Sequence, residues 1–313
     1  MFCLPSSHSG STVASSDPAL LVESASYSYL ARFPALNDVS LRVEHGERVA
    51  LVGANGCGKS TLLKLLDGLV FADSGRFEAF GSEVTEDHLE DEQFNAGFRS
   101  RIGFVFQNSD AQVFSPTVRE EIAFGPLNMA LPSDEVESRV NDVLSMLGID
   151  DLADRAPYQL SGGQKKRVAI GSVLAMNPDV LLFDEPTAAL DPRTQHWLVE
   201  LIGDLHRAGK TIVLATHDLE MLPVLADRAV VFSEDHRIVA GGPPDRVLND
   251  LELLMSVNLI HEHSHRHGDE VHSHVHDSSH HDDTTADPVV DLELADPAAT
   301  HSQQLLARDK GIV

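Results

Sequence analysis

The 313-residue sequence predicts an α/β fold, and three observations carry that expectation. A β-prone run, Arg48–Val52, leads through a glycine-rich stretch, Gly53 to Thr61, into the helically spaced Leu62, Leu63, Leu65 and Leu66. Two apolar runs, Val180–Phe183 and Ile212–Ala215, end on polar tips, Asp184-Glu185 and Thr216-His217, as buried strands of an α/β core do. Amphipathic helical patterns at 117–124, 134–147 and 163–175 precede Val180, and read as a helical subdomain, about 109–175, inserted into that core.

Taken in order, residues 1–18 are rich in Ser, Gly and Pro without periodicity, and disorder is expected there. From Ala19 the chain reads as short strands, Leu20–Val22 and Val39–Val43 being the clearest. An aromatic at Tyr27 or Tyr29 either stacks on a purine or packs within a strand; spacing leaves both open, with Tyr29 the better placed for stacking. The stretch Gly53, Ala54, Asn55, Gly56, Cys57, Gly58, Lys59, Ser60, Thr61 fits G-x-x-x-x-G-K-[ST] between a strand and a helix. Its glycines let backbone N–H groups turn inward on phosphate, and the helix N-terminus adds partial positive charge. Lys59 is expected to reach the β- and γ-phosphates and Ser60 to ligate Mg²⁺. The loop therefore implies a chain that binds a nucleoside triphosphate.

Beyond that helix, Gly75–Phe80 and Ile102–Phe106 read as strands, and the acidic Ser82–Ser100 between them as an irregular surface loop. Gln107, at the end of a buried strand, is placed for ligand or metal contact. In Leu160-Ser-Gly-Gly-Gln-Lys-Lys-Arg167, Ser161 is an N-cap and Gly162 and Gly163 leave N–H groups accessible before Gln164, which reads as an anion-binding helix start or as capping alone. Asp184 is expected in the Mg²⁺ shell opposite Ser60, Glu185 to polarise water, and His217 to lie near the γ-phosphate. Pro192, after Ala188 to Asp191, begins a helix.

Composition bounds the partners. The formal charge is −26, of which residues 261–313, with 11 acidic and 3 basic side chains, hold −8. The excess therefore belongs to the folded part too, and such a field repels nucleic-acid phosphates. Screening by a high-salt cytoplasm and plain acidity both fit this balance. No apolar run approaches the roughly 18–20 residues of a spanning helix, no export signal is legible at Met1, and Cys3 and Cys57 make no disulfide framework. A soluble chain in a reducing cytoplasm is expected.

These segments together, over about 20–258, resemble the ABC-type ATPases. The phosphate loop matches Walker A, Gln107 the Q-loop, and Leu160–Gln164 the LSGGQ signature that separates this family from other P-loop proteins. Asp184 and Glu185 match Walker B, Ala188–Asp191 the D-loop (with Ala188 where serine is commoner), and His217 the switch histidine. The resemblance implies a head-to-tail homodimer or heterodimer with two Mg²⁺-ATP sandwiched between Walker A of one chain and Ser161–Gln164 of the other, Asp191 adjoining. It further implies that Tyr29 stacks on adenine, Glu185 activates water, His217 senses the γ-phosphate, and Gln107 links Mg²⁺ to a membrane partner. Cys57, often Ala or Ser in such loops, implies thiol sensitivity. The segments Phe106–Phe114 and Thr117–Asn128 look like the energy-coupling-factor branch, which serves cobalt, nickel or vitamin uptake.

The tail bears on the cargo. Residues 261–281 hold nine histidines, His261, His263, His265, His267, His272, His274, His276, His280 and His281, within a segment, 259–313, expected to be disordered. Imidazoles in H-x-H spacing suit Ni²⁺ and Co²⁺ alike, so ligand type does not choose between them; a solvated low-complexity tail is the alternative. The expected activity is ATP hydrolysis on the cytoplasmic face of the membrane, by a peripheral subunit docked on integral transporter subunits, most simply for cobalt or nickel. Rivals are vitamin uptake, a non-transport ATPase acting on nucleic acid or translation, and a metal-storage protein.

Overall fold

A computed structural model describes residues 17–267 and 270–277, all within the unit Met1–Ser279. The apolar runs become neighbouring strands because both of their faces are covered. β1 (Leu20–Tyr29), β2 (Phe33–Val43), β4 (Ser74–Ala79) and β5 (Ser82–Glu83) form an antiparallel sheet ordered β2-β1-β4-β5. β3 (Arg48–Val52), β6 (Ile102–Val105), β7 (Val180–Asp184), β8 (Thr211–Thr216), β9 (Arg228–Phe232) and β10 (Ile238–Gly242) form the larger sheet, ordered β10-β9-β3-β8-β7-β6. Its neighbours are parallel except β10, which closes one edge antiparallel to β9.

The helices are α1 (Lys59–Leu66), α2 (Glu86–Glu90), α3 (Glu92–Arg101), α4 (Ser109–Gln112), α5 (Val118–Asn128), α6 (Ser133–Leu147), α7 (Gly162–Leu174), α8 (Pro192–Arg207), α9 (Leu222–Leu225), α10 (Pro244–Leu248) and α11 (Leu251–Ser256). Residues alternate between two cores along each central strand. Val49 and Leu51, Val180 and Leu182, and Val213 and Ala215 pack with α1 and the small sheet. Ala50 and Val52, Leu181 and Phe183, and Ile212 and Leu214 pack with the helices, among them Val140 and Leu144 of α6, Ile170 of α7 and Leu198 of α8. With apolar neighbours on both sides, these strands carry no polar alternation.

Three expectations differ from the structure. The acidic segment 82–100 is mostly helical: Thr85 caps α2 by accepting from His88 N (3.2 Å), and Asp91 caps α3 by accepting from Phe94 N (2.8 Å). Phe98 is buried, Leu89 and Phe94 pack half-buried against the same core, and Arg99 donates to the carbonyls of Asp67 and Gly68, so the segment is held by its caps and a short apolar face. The core runs past residue 258, because Leu259 and Ile260 are buried with Val257. The tail is also not wholly irregular: β11 (Ile260–His267) and β12 (Glu270–Asp277) pair antiparallel, the H-x-H alternation having the period of a pleated strand. Residues 1–16 and 278–313, with His280 and His281, lie outside the described residues.

Helices α4–α7 run between the adjacent strands β6 and β7. The turn from α4 to α5 depends on Glu121, which is 2% exposed and whose Oε2 accepts from Phe114 N (3.0 Å) and Ser115 N (2.7 Å). Removing that carboxylate leaves two donors unpaired. Glu121→Ala is therefore expected to lower unfolding free energy by about 1–3 kcal/mol in urea titration, and Glu121→Gln, which keeps an acceptor oxygen, by less.

Candidate functional site

Parallel strands that end level with one another deliver the polar tips to one edge. Val52 of β3 pairs with Thr216 of β8, and Asp184 of β7 with Ala215. The loop after Val52, the pair Asp184-Glu185 and His217 therefore meet at the carboxyl end of the sheet, where α/β ligands bind.

The loop's shape requires two of its glycines. Gly56 and Gly58 have φ of +84° and +114°, and a Cβ at Gly58 would run into the Ala35 carbonyl oxygen. Lys59 opens α1 but turns back into the loop, its Nζ donating to the carbonyls of Gly53 (2.6 Å) and Ala54 (3.1 Å). Glu185 Oε1 lies 3.8 Å from the same ammonium, with both side chains buried. Ser60 Oγ donates to Asp184 Oδ1 at 2.8 Å. Burial pushes the Asp184 carboxyl up, against the pull of the Ser60 hydroxyl. Two hard oxygen donors side by side fit Mg²⁺, whose charge would restore the carboxylate.

Glu185 is bent out of strand geometry, with φ of +43°, a region costly for a side chain with a Cβ. The bend directs Oε2 to His217 Nδ1 at 2.9 Å. That hydrogen bond raises the imidazole pKa above its usual value. Glu185 is thus oriented by one cation, Lys59, and by one group that becomes cationic.

Tyr29 reaches the loop from the small sheet. Its hydroxyl lies 3.4 Å from Thr61 Oγ1, and Tyr27 meets its ring edge-on at 5.0 Å. Cys57 departs from the expected thiol sensitivity: it is 2% exposed, and burial pushes its thiol pKa up, which disfavours the reactive thiolate.

Other expected residues stand apart from this cluster. Gln107 is exposed at the end of β6, and no hydrogen bond joins its side chain to Ser60 or Asp184 among the described residues. Ser161 and Gln164 form a capping box at the start of α7, Ser161 N donating to Gln164 Oε1 at 3.0 Å. Ser161 and Gly162 are exposed, and nothing stands within 4 Å of a Cβ built on Gly162. No hydrogen bond or ion pair joins Ser161–Gln164 to the phosphate loop among the described residues. Asp191 caps α8, accepting from Arg193 N, Thr194 N and Thr194 Oγ1, so its carboxylate serves the helix.

Lys166 escaped the sequence reading. It is 3% exposed, burial pushes its ammonium down to about 8, and it donates to the carbonyls of Phe106 and Gln107. Its spacing from Ala169, Ile170 and Val173, a lysine on the apolar stripe of α7, was the available signal.

Because the folded His217 pKa is raised, the pair with Glu185 stabilises fully below the ordinary imidazole value of about 6.5 and ceases to as pH rises through the raised value. The melting temperature of His217→Gln should fall furthest below that of the parent near pH 6. The gap should close by pH 9, as differential scanning fluorimetry across pH would show.

A model of the family described as ABC transporter matches residues 36–188. An ABC transporter ATP-binding protein of Methanosarcina acetivorans, whose name states no substrate, is 54% identical over 250 residues, 79% of this chain and 91% of that protein. The nickel import ATP-binding protein NikO of Rhodobacter capsulatus is 44% identical, over 78% of this chain and 96% of its own length. Among solved structures, cbiO1 of Clostridium perfringens, part of the ABC transporter complex cbiONQ, superposes with a TM-score of 0.67 at 38% identity, over 78% of this chain and 95% of that one.

Proposed function

The chain belongs to the ABC transporter ATP-binding family, ATPases coupled to transport, and from that premise we propose that it is the ATP-hydrolysing subunit of an uptake system for cobalt or nickel ions. The observation that carries the hydrolytic part is the strand-end cluster in which Lys59, Ser60, Asp184, Glu185 and His217 converge. Lys59 and the loop's N–H groups hold the β- and γ-phosphates, and Tyr29 offers its ring to adenine. Mg²⁺, held by Ser60 and Asp184 with Gln107 joining it, would supply charge neutralisation on the phosphate oxygens. Glu185, bent toward His217 and facing Lys59, takes the proton of the attacking water. His217 orients that carboxylate and meets the charge developing on the γ-phosphate.

Ser161–Gln164 has no partner in its own chain's phosphate site, and its exposed helix N-terminus suits the nucleotide of a second ATPase chain. We read the working unit as a head-to-tail dimer, peripheral on the cytoplasmic face of a membrane; no described helix is long and apolar enough to cross one. The exposed Phe114 and Phe124 rings, edge-to-face at 4.9 Å, form an apolar patch for a helix of the membrane subunit.

Support for a metal cargo comes from the similarity to a nickel importer and from the tail. The β11–β12 register sets His261 opposite His276, His263 opposite His274 and His265 opposite His272. Imidazole is a ligand type suited to Ni²⁺ and Co²⁺. In this reading the histidines, His267 included, buffer the cargo ion beside the transporter.

Two experiments test these roles. Glu185→Gln should keep ATP binding while phosphate release falls about 10²–10⁴-fold, and ATP should drive it into a dimer seen by light scattering. Ser161→Arg in that background should stay monomeric while still binding nucleotide; dimers forming equally well would reject the sandwich. For the tail, calorimetric titration with Ni²⁺ or Co²⁺ should show several ions bound at pH 7.5 and little binding at pH 5.5, where protons take the imidazole lone pairs. A chain ending at Ile260, which keeps the core intact, should lose the binding and retain basal ATPase activity.

A further inference from the structure

The ladder between β6 and β7 ends at Val105 and Phe183, yet the backbone beyond it is not free. Gln112 Oε1 accepts from Phe106 N at 2.9 Å. Gln112 Nε2 donates to Phe104 O and, on α7, to Ala169 O, both at 3.3 Å. Lys166 of α7 returns the connection, with Nζ 3.1 Å from Phe106 O and 3.3 Å from Gln107 O. Phe106 therefore has both its N–H and its carbonyl held by side chains where a strand partner is missing. An outer ion pair, Lys165 to Asp110 at 2.5 Å, links α7 to α4 alongside.

A lysine in this position is expensive to bury; its charge is felt by Asp184, but its hydrogen bonds go to the carbonyls at the strand end, and that contact needs a reason. We propose that Lys166 and Gln112 are positioning residues that clamp the backbone of Gln107 to α7, so that Gln107 and Ser161–Gln164 move as one piece. The inference rests on the dimer reading above. In that dimer Gln107 serves the Mg²⁺ of its own chain, while Ser161–Gln164, five to two residues before Lys166 on the same helix start, serves the partner's nucleotide. A rigid connection between them makes each nucleotide site sensitive to the state of the other. Lys166 offers two donors to carbonyls of consecutive residues, which fixes the direction of the chain at Gln107 and not merely its distance from α7.

The test uses the full-length chain carrying Lys166→Met, Gln112→Leu, or both, with Lys166→Arg as the conservative variant. Steady-state ATPase is measured against ATP and against Mg²⁺, nucleotide affinity with a fluorescent ADP analogue, and melting temperature alongside. With the clamp broken, kcat should fall about 10–100-fold, the scale of a misplaced catalytic group, while nucleotide affinity holds within about twofold. The Mg²⁺ concentration for half-maximal activity should rise, and the Hill coefficient for ATP should fall toward one. The double variant should be little worse than the worse single, as for two parts of one device. Lys166→Arg should recover most of the activity. Parent-like kcat, Mg²⁺ response and Hill coefficient in Lys166→Met and Gln112→Leu would overturn the inference. So would a parallel fall of affinity, kcat and melting temperature, which marks support of the fold alone. ATP-driven dimerisation of Glu185→Gln separates the two readings: if it fails, the sandwich falls; if it succeeds and the variants keep parent-like cooperativity, the clamp falls.

Discussion

Parallel pairing of β3, β8 and β7 is the constraint on which the rest of the molecule depends. A half-buried strand has its register set by apolar-in, polar-out alternation. These strands are apolar on both faces, so alternation specifies little, and a one-residue slip would bury much the same atoms. The polar ends do the specifying. Ser60 donates to Asp184 and His217 meets Glu185, side-chain contacts between strand ends that only the observed alignment brings together. The residues that make the site reactive are therefore also those that discriminate between alignments of the sheet.

The same edge concentrates charge. Asp184 and Glu185 are adjacent and buried, an arrangement whose repulsion must be offset nearby. Lys59 faces both, and Ser60 and His217 each hydrogen-bond to one of them. The left-handed backbone at Glu185 separates the two carboxylates by function: Asp184 remains aligned with its strand toward Ser60, while Glu185 swings to His217. Strain at this residue is offset by its main-chain bond to Ala215 and its side-chain contacts with His217 and Lys59, consistent with strained backbone persisting where the surroundings over-determine it.

Much of this was legible because short motifs encode backbone shape and chemistry together. Gly58 cannot be replaced in its conformation, and Lys59 and Ser60 follow it in fixed order, so the phosphate loop was readable from spacing alone. The helices α5, α6 and α7 were readable from periodicity. The α2–α3 segment was not, because only Leu89, Phe94 and Phe98 mark its apolar face amid acidic residues, and the caps Thr85 and Asp91 do the rest. The strand pairing of the histidine runs was hidden by a composition that reads as solvated. Lys166 and Gln112 were missed for another reason: each acts through backbone groups of Phe104–Gln107, which leave no mark of their own in the sequence.

Lysine is scarce in this acidic chain, and every described lysine already has a task. Lys59 occupies the phosphate loop, Lys64 lies over the Tyr29 ring, Lys165 pairs with Asp110, Lys166 holds the Gln107 segment, and Lys210 donates to Asn177. None of the five is fully exposed. Among the described residues the outer surface thus relies on carboxylates and arginines for hydration, and each lysine amine is engaged in a contact. Acylation or crosslinking at primary amines, which on most proteins decorates the periphery with little consequence, would here strike the moving parts: modifying any of these five side chains removes a contact that shapes the nucleotide site or the segments bracing it.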